Sequence, residues 1–148
     1  MIKTFRGLLA DGDQEVIRLS RNDGLMGYKI IKFQGFFEKP GTAEQESLLK
    51  VLKVEDGSVP TAAAEVNFDN MTLMAVWFST QHTSPAYNNP IQNVVFDREI
   101  VNQDIYITHT DQPAGTGESC NYYLELEEIP LNLNEATVAT LKDMRGRE

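Results

Sequence analysis

The sequence predicts an all-β protein, an antiparallel β-sandwich of jelly-roll type with one short C-terminal helix. Three observations predict the sandwich: short apolar runs recur along the chain, turn-forming residues separate them, and no helical period appears before residue 132. Many short strands at such spacing favour a sandwich or barrel over a fold with crossover helices. The 148 residues suffice for one domain with its own core. We therefore expect a single domain over residues 1–148.

The apolar runs define the predicted strands, and Gly, Asn and Pro between them supply the φ values of tight turns. The predicted strands are Ile2–Leu9, Glu15–Leu19, Met26–Phe37, Ser47–Val54, Ala64–Phe68, Met71–Phe78, Gln92–Phe96, Ile105–His109 and Cys120–Ile129. Met71–Phe78 is apolar on both faces, which predicts a central strand. Trp77 within it is expected in the core or at a subunit contact.

The last predicted strand shows the clearest alternation. Cys120, Tyr122 and Leu124 share one parity, whereas Tyr123 and Glu125 share the other. Since side chains alternate across a strand, the first set should be buried and the second solvated. The pair Glu127-Glu128 breaks the parity, so we expect a bulge or strand end there.

The period changes at the C-terminal end, where residues 132–145 are predicted as a helix. Asn132 offers an N-cap, and Glu135 three residues later completes a capping-box variant. Four residues recur at helical spacing and form a narrow stripe: Leu133, Thr137, Leu141 and Met144. We expect this stripe to dock on the sandwich or on a neighbouring subunit, leaving Arg145 and Arg147 for polar contacts.

Charge is unevenly distributed along the chain, whose net charge is −9. Residues 1–53 carry nine basic and seven acidic side chains, residues 54–141 carry Arg98 against thirteen acidic ones, and residues 142–148 return to +1. Such an acidic chain is a poor candidate for binding nucleic acid or an anionic membrane. The acidic segment either provides a solubilising face or meets the basic segment of a neighbouring subunit.

Targeting signals are not expected either. The N-terminal residues lack the apolar core of a signal peptide, and no apolar run approaches the roughly 20 residues that span a bilayer. One cysteine, Cys120, excludes an intrachain disulfide framework and suits a reducing compartment.

The sequence patterns around the residues that could be catalytic or could bind metal indicate structural roles instead. His82 and His109 are the two histidines, and without a zinc motif they are expected at the surface or at a strand end. Cys120 lacks the surroundings of a nucleophile and is expected to be a small buried residue. The carboxylates in Asp11–Glu15 begin like a calcium loop but lack its remainder, so a hairpin turn is favoured.

Two further groups were weighed as active or binding sites. Glu125, Glu127 and Glu128 could suggest a glycosidase pair, but a solvated strand face should keep them ionised. Aromatic residues could form a sugar platform, although aromatics at strand parity are more often core residues. These aromatic residues are Trp77, Tyr87, Tyr106, Tyr122 and Tyr123.

Several stretches of the chain together resemble small virion structural proteins of marine bacteriophages. The stretches are Lys3–Leu9, Ile17–Leu19, Gly27–Phe33, Val95–Asp97, Asn102–Tyr106, Cys120–Tyr123 and Ala136–Arg147. The resemblance implies a capsid-associated β-sandwich of jelly-roll type, present in many copies per particle. It carries no catalytic residues.

The function expected from the sequence is therefore that of a virion protein, made in a host cytoplasm, in the capsid shell or decorating it. It would act by self-association and by contact with other capsid proteins, without enzymatic activity, cofactor, metal, nucleic acid or membrane. The expected assembly contacts are Trp77, Leu133, Leu141, Met144, Arg145 and Arg147. A carbohydrate- or receptor-binding module is the alternative, and it would display Trp77 or several tyrosines on one patch. A small β-barrel enzyme is a third possibility, and it would show a cleft with a strongly perturbed carboxylate or histidine.

Overall fold

A computed structural model describes residues 1–20, 24–42, 44–53, 62–81, 92–111 and 117–145. Within these ranges the chain forms eight strands and one helix. They are β1 Ile2–Leu9, β2 Gln14–Ile17, β3 Met26–Phe37, β4 Gln45–Lys53, β5 Leu73–Gln81, β6 Gln92–Phe96, β7 Ile105–Asp111, β8 Cys120–Pro130 and α1 Leu133–Arg145. The predicted all-β fold class is confirmed.

The strands form two antiparallel sheets, a small one in the order β1-β8-β3 and a large one in the order β2-β7-β4-β5-β6. A jelly roll is wound from four strand pairs: first with eighth, second with seventh, third with sixth, and fourth with fifth. The chain forms the first, second and fourth of these pairs. In place of the third, β6 pairs with β5 at the edge of the large sheet.

Only a remnant of the missing strand pair is present in the described part of the chain. Tyr28 of β3 and Val101 exchange backbone hydrogen bonds of 2.8 and 2.9 Å in a single bridge. The chain has by then left β6 and crossed to the edge of the small sheet. The small sheet therefore has three strands where a symmetric jelly roll would have four.

The predicted strand Ala64–Phe68 is wrong, because residues 63–69 form an exposed irregular segment. Asparagine side chains hold this segment in turns: Asn67 Oδ1 accepts from the Asp69 amide at 2.9 Å, and Asn70 Oδ1 accepts from the Thr72 amide at 2.9 Å. Such local hydrogen bonds compete with a strand ladder. The apolar composition of the run does not outweigh them.

The expected irregularity at Glu127-Glu128 is also wrong. Strand β8 pairs with β3 without interruption through both residues and ends at Pro130, and the bulge lies on β3 between Ile30 and Lys32. The extra residue on β3 re-aligns its parity with that of β8. The predicted alternation of β8 is confirmed, since Cys120, Tyr122 and Leu124 are buried.

The core lies between the sheets and is centred on Trp77, whose side chain is 2% exposed. Its ring meets Phe37 edge-to-face, with centroids 5.9 Å apart. Gly35 on the opposite sheet leaves room for the indole, because a Cβ at Gly35 would lie 2.5 Å from Trp77 Cε3. Strand β5 is an interior strand, flanked by β4 and β6. Of the two positions expected for Trp77, the core is the observed one, so its side chain is not an assembly contact.

The predicted capping box of α1 is confirmed. The Glu135 amide donates to Asn132 Oδ1 at 2.8 Å, and the Asn132 amide donates to Glu135 Oε1 at 3.4 Å. Helix α1 packs on the sandwich through Ala136 and Ala139, which are buried. The helix residues Leu133, Thr137 and Leu141 face outward, so the predicted stripe does not dock on its own sandwich.

Asn102 fastens the helix to the strands and is completely buried. Its side-chain amide donates to Gly24 O at 3.1 Å, Ala136 O at 3.2 Å and Thr140 Oγ1 at 2.8 Å. Three parts of the chain, far apart in sequence, therefore meet at one side chain.

The uneven charge of the chain is partly compensated within the subunit. Among the described residues, five ion pairs join residues 1–53 to residues 54–141: Lys3–Glu128, Arg18–Asp104, Lys29–Glu127, Lys39–Glu118 and Lys53–Glu99. The topology explains two of them, because the acidic strand β8 lies between the basic strands β1 and β3. A neighbouring subunit is therefore not needed to bring these segments together.

Candidate functional site

A buried serine–histidine pair lies at one end of the sandwich. His109 on β7 and Ser47 on β4 are both completely buried, and His109 Nε2 lies 3.0 Å from Ser47 Oγ. His109 Nδ1 lies 3.1 Å from the carbonyl oxygen of Ala10. Since a carbonyl only accepts, Nδ1 carries the proton, and the Ser47 hydroxyl therefore donates to Nε2.

The pair has the spacing of a nucleophile and its base, but its surroundings assign it a structural role. Gln45 donates to Ser47 Oγ at 2.6 Å and to Ser119 O at 2.9 Å. Burial lowers the pKa of His109, so the neutral ring persists. A substrate could reach the hydroxyl only if the sandwich opened. His109 was expected at the surface or at a strand end, but it is buried within β7, two residues before the strand ends, and as the third in the series Ile105, Ile107, His109 it points inward.

Cys120 lies beside this network and behaves as predicted, as a small buried residue. Its side chain is completely buried, and burial raises the pKa of its thiol to about 12. The thiolate required for nucleophilic or redox chemistry is therefore absent at neutral pH.

The Asp11–Glu15 segment forms a turn, as predicted, with Gly12 at a φ of 81°. The turn does not form a hairpin, because β1 belongs to the small sheet and β2 to the large one. Asp11 Oδ1 accepts the backbone amide of Asp111 at 2.8 Å, and Glu15 accepts the hydroxyl of Tyr122 at 2.6 Å. These carboxylates are committed to protein hydrogen bonds. Among the described residues, no group of three His, Cys, Asp or Glu side chains is placed to hold a metal ion.

An open groove of about 720 Å³ runs over the strands on the outer face of the small sheet. We call this surface the small-sheet face. Its lining residues are Arg6, Gly7, Leu8, Lys32, Gln34, Gly35, Phe36, Asn121, Tyr122 and Tyr123. The register places Tyr123 of β8 between Arg6 of β1 and Gln34 of β3. One row further, Asn121 lies between Leu8 and Phe36.

Tyr123 is the centre of the small-sheet face. The Lys32 ammonium lies 5.4 Å from the centre of its ring, within the range of a cation–π contact. The Tyr123 hydroxyl donates to Glu125 Oε1 at 2.7 Å, and this hydrogen bond raises the pKa of Tyr123. Phe36, which is 60% exposed, supplies an apolar end. The face thus offers an aromatic ring, an apolar surface, amides and two cations.

The three glutamates of β8 do not form an acid–base pair. Glu125 accepts the Tyr123 hydroxyl, whereas Glu127 and Glu128 form ion pairs with Lys29 and Lys3 at 3.7 and 2.9 Å. Glu125 and Glu127 have the partly exposed positions expected from strand parity.

The aromatic residues considered as a sugar platform do not share one surface. Trp77 and Tyr122 are buried, and Tyr123 and Tyr106 are half-buried on different sheets. Tyr87, like His82, lies outside the described residues. Among the described residues on the small-sheet face, Tyr123 and Phe36 are the aromatic side chains available to a sugar, a combination that parity could have indicated but that sequence reasoning did not single out.

The predicted assembly contacts on α1 are partly described. Leu133 and Leu141 are 73% and 54% exposed, and Val138 between them is 52% exposed. The side chains of Met144 and Arg145, and all of Arg147, lie outside the described residues. The described leucines are therefore accessible to a partner.

The protein is an acidic β-sandwich wound largely as a jelly roll. The polar network around Ser47 and His109 is buried, whereas apolar side chains on α1 and on the small-sheet face are exposed. Comparisons with protein-family models and with curated proteins find no match to this chain. Within the described residues, no helix has the length and apolar character needed to cross a bilayer.

Proposed function

We propose that this protein is a structural component of a bacteriophage virion, in the capsid shell or decorating it, and that it acts by self-association. The jelly-roll winding supports the proposal, since this architecture recurs in viral capsid domains and in lectins. Because one fold serves many functions, the surface must carry the argument.

The observation that carries the proposal is the orientation of α1. The helix places Ala136 and Ala139 on the sandwich and leaves Leu133, Val138 and Leu141 in solvent. A helix that served only its own subunit would present its larger apolar residues to the core. Exposed apolar patches on soluble proteins mark interaction sites. The outward leucines therefore favour a surface that another subunit covers.

Electron microscopy and sedimentation of the purified protein test the proposal. We expect rings or shells from the native chain, and the double variant Leu133→Ser, Leu141→Ser should form neither. A matched control, Asn134→Ser, alters an exposed helix residue outside the leucine positions and should leave assembly unchanged. Circular dichroism should show that all variants remain folded. A native protein that stays monomeric at high concentration would overturn the proposal.

The small-sheet face supports a second function, a carbohydrate- or receptor-binding module. An accessible Tyr123 ring, the exposed Phe36 and the amides of Gln34 and Asn121 are the groups with which proteins bind sugars: rings to stack on and donors to orient hydroxyls. Screening against a glycan array tests this function. Tyr123→Ala should abolish binding, whereas Tyr106→Ala, on the other sheet, should leave it intact. The absence of any bound glycan would eliminate sugar binding.

A further inference from the structure

The four edge strands of the two sheets differ in how they are protected from pairing with another chain. Natural sheets protect their edges with charges, bulges, short strands or covering segments. Strand β1 carries Lys3 and Arg6, β2 is four residues long and carries Glu15, and β3 carries Lys32 and the bridge to Val101. Strand β6, Gln-Asn-Val-Val-Phe, has no charge and no proline. Among the described residues no strand pairs with its outer edge.

The hydrogen-bonding parity of β6 shows which backbone groups point outward. The Asp97 amide donates to Met74 O at 3.0 Å, and Val95 lies opposite Val76. Bonded and non-bonded positions alternate in an antiparallel pair. The N–H and C=O groups of Asn93 and Val95 therefore point toward β5. Those of Gln92, Val94 and Phe96 point away from the sheet.

The side chains of β6 also favour a partner. Val94 and Val95 are 42% and 54% exposed on opposite faces of the strand. Val95 borders a depression of about 140 Å³ that Phe68 also lines, and Phe68 is 72% exposed. The edge thus combines outward backbone groups with uncovered apolar side chains.

We propose that β6 pairs antiparallel with β6 of a second copy, about a two-fold axis at Val94. In that register the backbone of Val94 bonds to Val94 of the partner subunit, and that of Gln92 bonds to Phe96 of the partner subunit. All three residues whose N–H and C=O groups point away from the sheet therefore gain hydrogen-bond partners. The pairing joins two five-stranded sheets into one sheet of ten. The strand's neutrality favours this occupant, since copies with a net charge of −9 repel each other. The inference rests on the proposed self-association and names one of its contacts.

Disulfide formation tests the register. Residues facing each other in a bonded pair have Cα atoms about 5.5 Å apart, within the range of a disulfide. Val94→Cys should therefore form a covalent dimer under mild oxidation. The matched variant Gln92→Cys lies on the same edge, but its two copies would be about 13 Å apart along the strands, and it should crosslink at least tenfold more slowly. Cys120 should not compete, because its thiol is buried and its pKa is about 12. Equal crosslinking rates would overturn the inference.

A proline substitution tests the edge without a new thiol. Val94→Pro removes an outward N–H and leaves the ladder with β5 intact, as prolines at sheet edges do. In the Leu133→Ser, Leu141→Ser background, where the proposed helix contact is absent, sedimentation of Val94→Pro should show a monomer, and its circular dichroism should be unchanged. Val95→Lys places a charge on the outer sheet surface and should leave the dimer in place. Dissociation by Val95→Lys but not by Val94→Pro would show pairing through the surface and overturn the inference.

The outcomes also separate this inference from the proposed function. Rings or shells formed by a protein whose Val94→Cys variant does not crosslink would refute the β6 contact and leave the virion role standing. A specific Val94→Cys crosslink in a protein that forms dimers and nothing larger would support the contact and contradict the virion role.

Discussion

At the scale of single residues, the fit between Gly35 and Trp77 determines how closely the two sheets approach. Among the described residues, the buried Trp77 indole nitrogen has no hydrogen-bond partner, so the packing of the ring outweighs the loss of a hydrogen bond to water. Removing the ring should leave a cavity, and Trp77→Ala should lower the free energy of unfolding by about 3–5 kcal/mol. Trp77→Phe should cost less, because it also removes the unpaired donor. Urea unfolding of both variants measures the difference.

Gly35→Ala should destabilise the sandwich by overpacking. The added methyl group would lie 2.5 Å from Trp77 Cε3 and 2.7 Å from Leu49 Cδ1, and such overpacking costs about 1–3 kcal/mol. In a Trp77→Leu background the largest clash is gone, so the same substitution should cost less. A double-mutant cycle from urea unfolding measures the coupling. Additive effects would show that the two residues do not constrain each other.

His109 should make stability depend on pH. Burial lowers its pKa below the ordinary value of 6.5, against the opposing effects of the Ala10 carbonyl, Asp11 and Asp111. The unfolded chain therefore binds the proton more readily. The contribution of His109 is complete above pH 6.5 and is lost as the pH falls through the lowered pKa, by at most about 1.4 kcal/mol per pH unit. Chemical unfolding between pH 7 and pH 5.5 should show this slope.

Two substitutions isolate the histidine responsible. His109→Gln should flatten the slope between pH 6.5 and 5.5, although it weakens the hydrogen-bond network at every pH. His82→Gln, at the other histidine, should retain the slope of the native chain. A slope that survives His109→Gln would assign the pH dependence to other groups.

At the scale of elements, the attachment of α1 depends on a few polar contacts. Asn102→Ala leaves the Gly24 and Ala136 carbonyls without this donor, and such a loss costs about 1–3 kcal/mol. A helix of about 13 residues is marginal on its own, so its helical signal should melt below the main transition. Leu141→Ser, on the outward face, should change the stability of the isolated subunit by less than about 0.5 kcal/mol. Thermal circular dichroism distinguishes the two variants.

Strand existence could be predicted from the sequence wherever alternation and turn residues agreed, as in Met26–Phe37 and Cys120–Ile129. Strand ends were harder to place, because they depend on distant partners. Strand β2 stops at Ile17 instead of Leu19, since the amides of Leu19 and Ser20 donate to Asp104 Oδ1 at 2.7 and 2.8 Å. Asp104 lies more than 80 residues away in the sequence, so no local pattern announces that hydrogen bond.

For the candidate sites too, local sequence patterns could predict burial but not contacts between distant residues. The burial of His109 could have been predicted from its parity with Ile105 and Ile107, but its contact with Ser47 requires the pairing of β4 with β7. The small-sheet face likewise depends on β8 lying between β1 and β3. Sequence patterns assign faces to strands, whereas neighbouring strands decide which side chains share a surface.

At the scale of the whole molecule, the charge arrangement changes how salt should act on assembly. One of the two alternatives from the sequence was that the acidic segment meets the basic segment of a neighbouring subunit, and in that case salt would slow assembly. Because Lys3, Lys29 and Lys53 form ion pairs within the subunit, copies instead meet with a net charge of −9 each. Salt screens that repulsion, and assembly measured by light scattering should be faster at 300 mM than at 20 mM sodium chloride. Slower assembly at high salt would contradict this prediction and would indicate that opposite charges on neighbouring subunits attract each other.

The position of β8 has a consequence for the order in which the chain acquires structure during its synthesis. β8 is the middle strand of the small sheet, so among the described residues β1 lacks its ladder partner, and β3 has only the Val101 bridge, until β8 has left the ribosome. Strands β4, β5 and β6 are neighbours both in sequence and in space, and the connections between them are much shorter than those from β1 and β3 to β8, which lets them form first. Until β8 is present, the small sheet cannot form, and the face of the large sheet that carries Trp77 stays uncovered. Its exposure to premature association therefore ends only when β8 has been synthesised.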